Sequence, residues 1–588
     1  EYMVAVKVHE FYHNLNGSEV TGRSPFEIWL NEAVTVFIEK MYGAYLFGED
    51  YIRLSTTLTL LAPTLGTFAS DKHVASMPIE PDGFNDCNEL ITGVTYVKAP
   101  ELVRMVELIL GKKEFVKALA SYHTKYKHGN ASRADWVACM QEYTDKDLTA
   151  MTQEWLKQAS FPEVEVVSED YDESQKTMTI KFKQLGFCKG RPWHFPLVIA
   201  ARGKNGENLQ EQQFYVDASE FELVLTDVPT SPEYIAYNLG FSFFGKVLKT
   251  YDYQTLMQMA EYEPDICVRY QAVFELFDIV KLHAIQGGDL VDYKDFFDWY
   301  MQTLENKELT LEYGVELLTN FETVSDPNYQ HSYGKLFNVN KSIRKFLAEN
   351  YTERLLELYN SLDGFEGEGL YVQKRGQQIK VRSVKNRCLA LLAELDNQMV
   401  WDLIHKQLSG ASNASDRVTA FHLYLNTHAT NKKEVVLEYQ EYAKQNLVAW
   451  ETFLSVVARN NSEDHLEIIK QVESLDHFRI DQANDQRALI VGFAYNKKNS
   501  LLKPEGRAYL KEKIIQLAQV NEYSTGRLLK VFGALDKLDI DDQAELVKIL
   551  VDLLEVLDQA KYPSVYNTVN RIISGSPEAK MSYEKKYL

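Results

Sequence analysis

The strongest constraint on this chain lies at positions 9–13, where His-Glu-Phe-Tyr-His sits inside a helical pattern marked by Val4, Val8, Phe11, Tyr12 and Leu15. Residues four apart on a helix lie one turn above each other, so His9 and His13 face the same way and can share one ion. Two neutral imidazoles and a carboxylate make a tetrahedral nitrogen–oxygen shell that suits Zn2+ and leaves a position open for water. Glu10, next to the first ligand, is placed to take that water's proton. The third ligand is expected at Glu32, on a helix announced by Ser24 as N-cap, Pro25 in the first turn and Glu27 three residues after the cap, followed by Ile28, Trp29, Ala33, Val36 and Phe37. Two antiparallel helices joined through the turn containing Gly17 would bring Glu32 opposite the His pair. A chance H-E-x-x-H is expected in roughly one such chain in fifty, and requiring an acid at one downstream position lowers this to the order of one in a thousand.

The rest of the chain bounds the setting. At 588 residues it is too long for one core, and three or four domains are expected. Its 84 acidic and 63 basic residues give a net charge of −21, which repels a phosphate backbone and makes nucleic acid an unsuitable partner. The same charge weakly attracts cationic groups such as peptide amino termini. No apolar run reaches the ~20 residues of a membrane helix. Cys87, Cys139, Cys188, Cys267 and Cys388 are odd in number and form no C-x-x-C pair, a pattern of buried thiols in a reducing compartment, so a cytoplasmic location is expected. The sequence opens on Glu1 rather than Met, as a segment of a longer protein would.

Periodicity changes twice. Residues 1–160 read as helices, including stretches from Ala99 through Leu110 and from Phe115 to Tyr126. Near Phe161-Pro162 the period becomes that of strands: Met178, Ile180 and Phe182 alternate with Thr177, Thr179, Lys181 and Lys183. Leu197–Ala201 leads to an Asn205-Gly206 turn, and Phe221, Leu223 and Leu225 alternate again. A small β-sandwich over 161–249 is expected. From 250 to 588 the helical period returns, as in Ala544 to Leu557, and a curved helical array is expected. The fold class is therefore mostly α with a β-sandwich insert. The cluster Lys380, Arg382, Lys385 and Arg387 reads as a solvated helical face.

Several stretches resemble the aminopeptidase N family of zinc exopeptidases, with the bacterial alanyl aminopeptidase branch nearest: HEFYHN at 9–14, VTGRSPFEIWLNEAVTVF at 20–37, MPIEPD at 77–82 and VTYVKAPELVRM at 94–105. Weaker likeness continues through EWLKQASFPEV at 154–164 and VKNRCLALLAEL at 384–395. The resemblance implies a thermolysin-like catalytic part over 1–160, one Zn2+ per chain held by His9, His13 and Glu32, and Glu10 as general base. It also implies that Tyr96 hydrogen-bonds the oxyanion of the tetrahedral intermediate, that Glu32 touches the substrate amine, and that Arg487, in DQRALIVGFA, lines an internal chamber and meets substrate carboxylates. Peptide substrates, no membrane span and a monomer are expected.

Two departures accompany it. Ala33 stands where the family has Gly, a small change that a helix interior accepts. The family's Gly-x-Met-x-Asn strand, which holds the substrate amine, is not among these residues, so this stretch is expected to carry the chemistry and only part of the specificity. Two other functions fit the same framework: a non-catalytic scaffold, which would be expected to lose Glu10 or a ligand, and another zinc hydrolase of epoxide hydrolase type.

Overall fold

A computed structural model describes residues 2–62, 66–72, 76–83, 90–186, 191–329 and 331–588. Helix α1 (Tyr2–Tyr12) is followed by a short strand β1 (Val20–Gly22), a tight 3-10 turn over Pro25–Glu27 and the long helix α2 (Ile28–Phe47). The cap expected at Ser24 is a capping box, with the Ser24 backbone N–H donating to Glu27 Oε2 at 2.9 Å. Helices α3 (Glu49–Leu61), α4 (Thr67–Asp71), α5 (Ala99–Leu110), α6 (Lys112–Lys125), α7 (Arg133–Gln141) and α8 (Leu148–Lys157) complete this part, and β2 (Gly129–Ala131) pairs in parallel with β1. A wide π turn over Val94–Lys98 leads into α5.

Helix α2 is the axis of the arrangement. Trp29, Leu30, Ala33, Val34, Val36 and Phe37 are buried along it, against α1, α3 and α5. Trp29 also meets Trp136 edge-on at 6.0 Å and donates its indole N–H to Glu80 at 2.7 Å. Glu80 lies in the MPIEPD stretch and binds Arg133 at 2.8 Å, so this stretch fastens α2 to α7.

Strands then form two sheets. β3 (Glu163–Asp172), β4 (Thr177–Leu185), β7 (Glu220–Leu225) and β9 (Lys246–Leu248) make one, in the order β7-β4-β3-β9; β5 (Phe195–Arg202), β6 (Asn208–Val216) and β8 (Tyr234–Tyr237) make the other, in the order β6-β5-β8. Met178, Ile180 and Phe182 are buried while Lys181 and Lys183 are exposed, as strand alternation requires. Phe182 packs edge-on against Tyr237 of the other sheet at 5.9 Å. Gly206 makes the turn between β5 and β6 with φ 74°, a conformation that glycine adopts without steric cost. From Tyr253 onward the described residues are helices and their connections, and α9 (Tyr253–Tyr262) and α10 (Ile266–Ile285) begin the series. The molecule is mostly helical with a small sheet domain and a long helical array, the fold class expected from periodicity.

Packing groups the chain differently from element type. One unit comprises Glu1–Ile279, Asp298–Phe321 and Phe365–Val381; the other comprises Val280–Phe297, Glu322–Gly364 and Arg382–Leu588. The first helices after the sheets thus belong with the N-terminal part, for a visible reason. Arg53 of α3 forks onto Glu101 of α5 through two bonds of 2.8 Å and donates to the carbonyls of Gly240 and Phe241, while Asp265 accepts from Gly240 N–H.

Two expectations need comment. Lys380 and Lys385 are not on a solvated face: each is only 7% exposed. Lys380 Nζ donates to the Phe47 carbonyl at 2.7 Å within the first unit, and Lys385 Nζ pairs with Asp363 at 2.6 Å within the second. Arg382 and Arg387 are half-buried, Arg382 lying 3.9 Å from Asp416. Cys139, Cys267 and Cys388 are buried; Cys87 and Cys188 lie outside the described residues.

Candidate metal centre

Three local devices position the side chains of the candidate metal site. The last turn of α1 carries past Tyr12, because His13 N–H donates to the His9 carbonyl at 3.1 Å, and this keeps both imidazoles on one face. Beyond it the chain reverses at Gly17, where φ is 119° and an added Cβ would lie 3.0 Å from His13 Nδ1. Asn16, buried in the reversal, donates to the carbonyls of Leu30 and Asn31 at 2.9 Å each and locks α1 to the start of α2.

Within that frame His9 Nε2 and His13 Nε2 stand 3.0 Å apart, and Glu32 Oε2 lies 3.4 and 3.6 Å from them. A tetrahedral ion with bonds of about 2.0–2.1 Å sets its ligand atoms roughly 3.3–3.4 Å apart, so the three donors have the spacing such an ion requires. Glu32 Oε2 is buried and has no hydrogen-bond donor among the described residues, an orphan that a cation would satisfy. His9, His13 and Glu32 are the only cluster of this kind among the described residues.

The outer ring nitrogens are also held. His9 Nδ1 lies 3.1 Å from Glu39 Oε2, and His13 Nδ1 lies 2.9 Å from the Asn16 carbonyl. With Nδ1 as the donor in each ring, both Nε2 lone pairs point at the gap. Neither partner was anticipated from the sequence. Glu39 had a signal, standing seven residues after Glu32 and therefore on the same face of α2, two turns along. Asn16 had none.

Tyr96 occupies the middle of the π turn, its ring 6.5 Å from that of His9. Burial pushes its hydroxyl pKa well above the usual value, reinforced by the charge and hydrogen bond of Glu32 and by the charge of Glu10. A phenol so held stays neutral and remains a donor. Glu10 is exposed and, with His9, Glu39, Lys40 and Tyr96, lines a cavity of about 560 Å3.

A family model described as the peptidase family M1 domain matches residues 1–155, and one described as a domain of unknown function with ARM repeats matches 253–573, more than half of the chain. Aminopeptidase N of Escherichia coli (strain K12) is 23% identical over 572 residues, covering 93% of this chain and 64% of its own length. Aminopeptidase N of Haemophilus influenzae is 23% identical over 589 residues, covering 94% of this chain and 65% of its own.

The chain belongs to the aminopeptidase N family. A crystal structure of Legionella pneumophila aminopeptidase A in complex with aspartic acid shares the fold of this family member, with a TM-score of 0.81 at 22% identity, over 97% of this chain and 65% of that one. The chain therefore spans slightly less than two thirds of these relatives' lengths.

In this aminopeptidase N family chain, Ala33 is fully buried in α2 without distorting it. Arg487, expected to meet substrate, lies in the second unit on a turn over Gln486–Val491. It is about half exposed and is engaged by Glu451 at 3.7 Å and Asn484 at 3.3 Å.

Proposed function

We propose that the protein is a zinc-dependent aminopeptidase acting on the amino-terminal residue of peptides. The observation that carries this reading is the triangle of His9 Nε2, His13 Nε2 and Glu32 Oε2, with sides of 3.0, 3.4 and 3.6 Å, whose His9 corner lines one cavity with Glu10 and Tyr96. His9, His13 and Glu32 would hold one Zn2+, which would supply Lewis acidity toward water and the scissile carbonyl. Glu39 and the Asn16 carbonyl fix the imidazole tautomers. Glu10 takes a proton from the attacking water at its carboxylate and returns it to the leaving nitrogen. Tyr96 donates its hydroxyl proton in a hydrogen bond to the carbonyl oxygen as charge develops there. Glu32 also faces the substrate's free amine. Arg487, already engaged by Glu451 and Asn484, has only the resemblance in favour of a substrate contact.

A non-catalytic scaffold would have no reason to keep Glu10, the ligands and the outer-shell carboxylate together. The deciding experiment is hydrolysis of alanyl p-nitroanilide by the full-length protein. Turnover is expected, lost with chelator and restored by zinc, and Glu10→Gln is expected to retain metal while losing about 10²–10⁴-fold in kcat. Unchanged turnover in Glu10→Gln would overturn the mechanism.

A further inference from the structure

Two residues after Tyr96, on the same π turn, is a lysine with no contact to solvent. Lys98 is 0% exposed, and its ammonium sits 5.6–6.0 Å from the ring centres of Trp193, Phe244 and Trp155. Such a charge is retained only where it is fully compensated. Lys98 Nζ forms an ion pair with Asp71 Oδ2 at 3.0 Å, itself inaccessible, and donates to the carbonyls of Ser160 at 2.6 Å and Gln158 at 3.1 Å. Asp71 Oδ1 in turn accepts from Ser160 N–H at 3.1 Å. The loop is closed: carboxylate, ammonium and the Ser160 peptide each bind the other two. Ser160 takes φ 72°, a left-handed conformation unusual for serine, as the closed loop requires of it.

The geometry of the turn converts this anchor into a constraint on Tyr96. In a turn wound wider than 3.6 residues, positions two apart lie on nearly opposite faces. Tyr96 therefore faces His9 and Glu32 while Lys98 points backward into the Trp155–Trp193 core. At its other end the turn is tied by Thr95 Oγ1, which donates to the Leu90 carbonyl at 2.6 Å, and by Tyr96 N–H, which donates to the Thr92 carbonyl at 3.1 Å. Tyr96 is thus slung between two fixed points, and the rear one is charged.

We propose that the buried Lys98–Asp71 ion pair is the positioning device that sets the depth of the Tyr96 hydroxyl at the metal centre. The proposal rests on the reading of Tyr96 as oxyanion donor. Lys98 touches no reacting atom; it acts through the turn. Nothing else in the site requires a charge there, since a methionine of similar length would fill the same space.

The test uses Lys98→Met, Asp71→Asn, and Lys98→Met combined with Asp71→Leu, which removes both charges together and so preserves folding where a lone buried charge would not. Each variant is expected to bind one zinc per chain and to lose about 10–100-fold in kcat and in kcat/KM alike. Made in a Tyr96→Phe background, the same changes are expected to cost nothing further, because the group they position is gone. A direct readout is the 19F resonance of 3-fluorotyrosine placed at position 96, expected to shift and broaden in the double variant with or without metal. An unmoved resonance, unaltered kcat, or a loss that multiplies on the Tyr96→Phe background would overturn the proposal. If Tyr96→Phe alone leaves turnover unchanged, the oxyanion reading fails, while the 19F signal still reports whether Lys98 sets the ring.

Discussion

Glu39 Oε2 lies 3.1 Å from His9 Nδ1, on the opposite edge of the ring from the Nε2 that faces Glu32. The carboxylate fixes the ring's tautomer and orientation, so on the proposed zinc reading its loss should be felt in metal binding before it is felt in the fold. Glu39→Ala is expected to weaken zinc binding about 10–100-fold, read by competition with a chromogenic chelator. Thermal stability of the metal-free protein should change little, because Glu39 is half-buried on a well-packed helix.

Tyr96→Phe removes a hydroxyl and keeps the ring that packs near His9. Loss of one oxyanion donor costs about 10²–10³ in kcat. KM for alanyl p-nitroanilide should be nearly unchanged, and metal content should be unaffected. Equal losses in kcat and kcat/KM are the signature to measure; a rise in KM alone would assign Tyr96 to ground-state binding.

His123 of α6 contacts Tyr12 of α1 through Nε2 at 3.2 Å, which ties down the helical turn that carries His9 and His13. Burial lowers the His123 pKa from 6.5 to about 4, with the Glu19 charge opposing. The unfolded chain thus binds the proton more readily than the folded one between these values, and stability rises with pH across that interval. The contribution is fully present above pH 6.5 and is lost as pH falls through about 4. Urea unfolding of the metal-free protein at pH 7, 5 and 4 should show the decline, and His123→Gln should remove a part on the order of 2 kcal/mol.

Glu101 is 2% exposed and receives the forked Arg53 guanidinium at 2.8 Å, with Lys40 at 3.6 Å. Burial alone would raise its pKa; Arg53 and Lys40 outweigh it and hold the carboxyl down at about 2. A depressed carboxylate stabilises above its unfolded pKa and loses that contribution as pH falls from 4.5 toward 2. Glu101→Gln strands the Arg53 guanidinium, which also donates to the Gly240 and Phe241 carbonyls, and the nearby Lys40 ammonium. A loss of about 3–5 kcal/mol in chemical unfolding is expected. If it is no less stable than the parent, the pair is not what joins α3 and α5 to the sheets.

Legibility from sequence followed the range over which each signal acts. His9, Glu10, His13 and the capped helix bearing Glu32 are written within a few turns of chain, and the helix–strand–helix succession is written in periodicity. Tyr96 was one of 35 tyrosines until family resemblance singled it out, because a hydroxyl proposed to meet an oxyanion follows no local spacing rule. Lys380 and Lys385 misled for the converse reason: charge pattern along a helix implies a wet face only where nothing packs against it, and carbonyl and carboxylate acceptors elsewhere in the chain do so here.

The sequence by itself determined that His9 and His13 share one face of a helix and that a capped helix follows with Glu32, because four-residue spacing and capping are local geometry. Only the tertiary structure decided that the triangle has sides near those of a tetrahedral ion, that Glu39 and Asn16 aim the rings, and that Lys98 and Asp71 brace Tyr96 from behind. Those relations join residues between 3 and 30 positions apart, and the last reaches a further 62 positions along the chain to Ser160. They depend on burial and on the path of intervening chain, which no local pattern encodes.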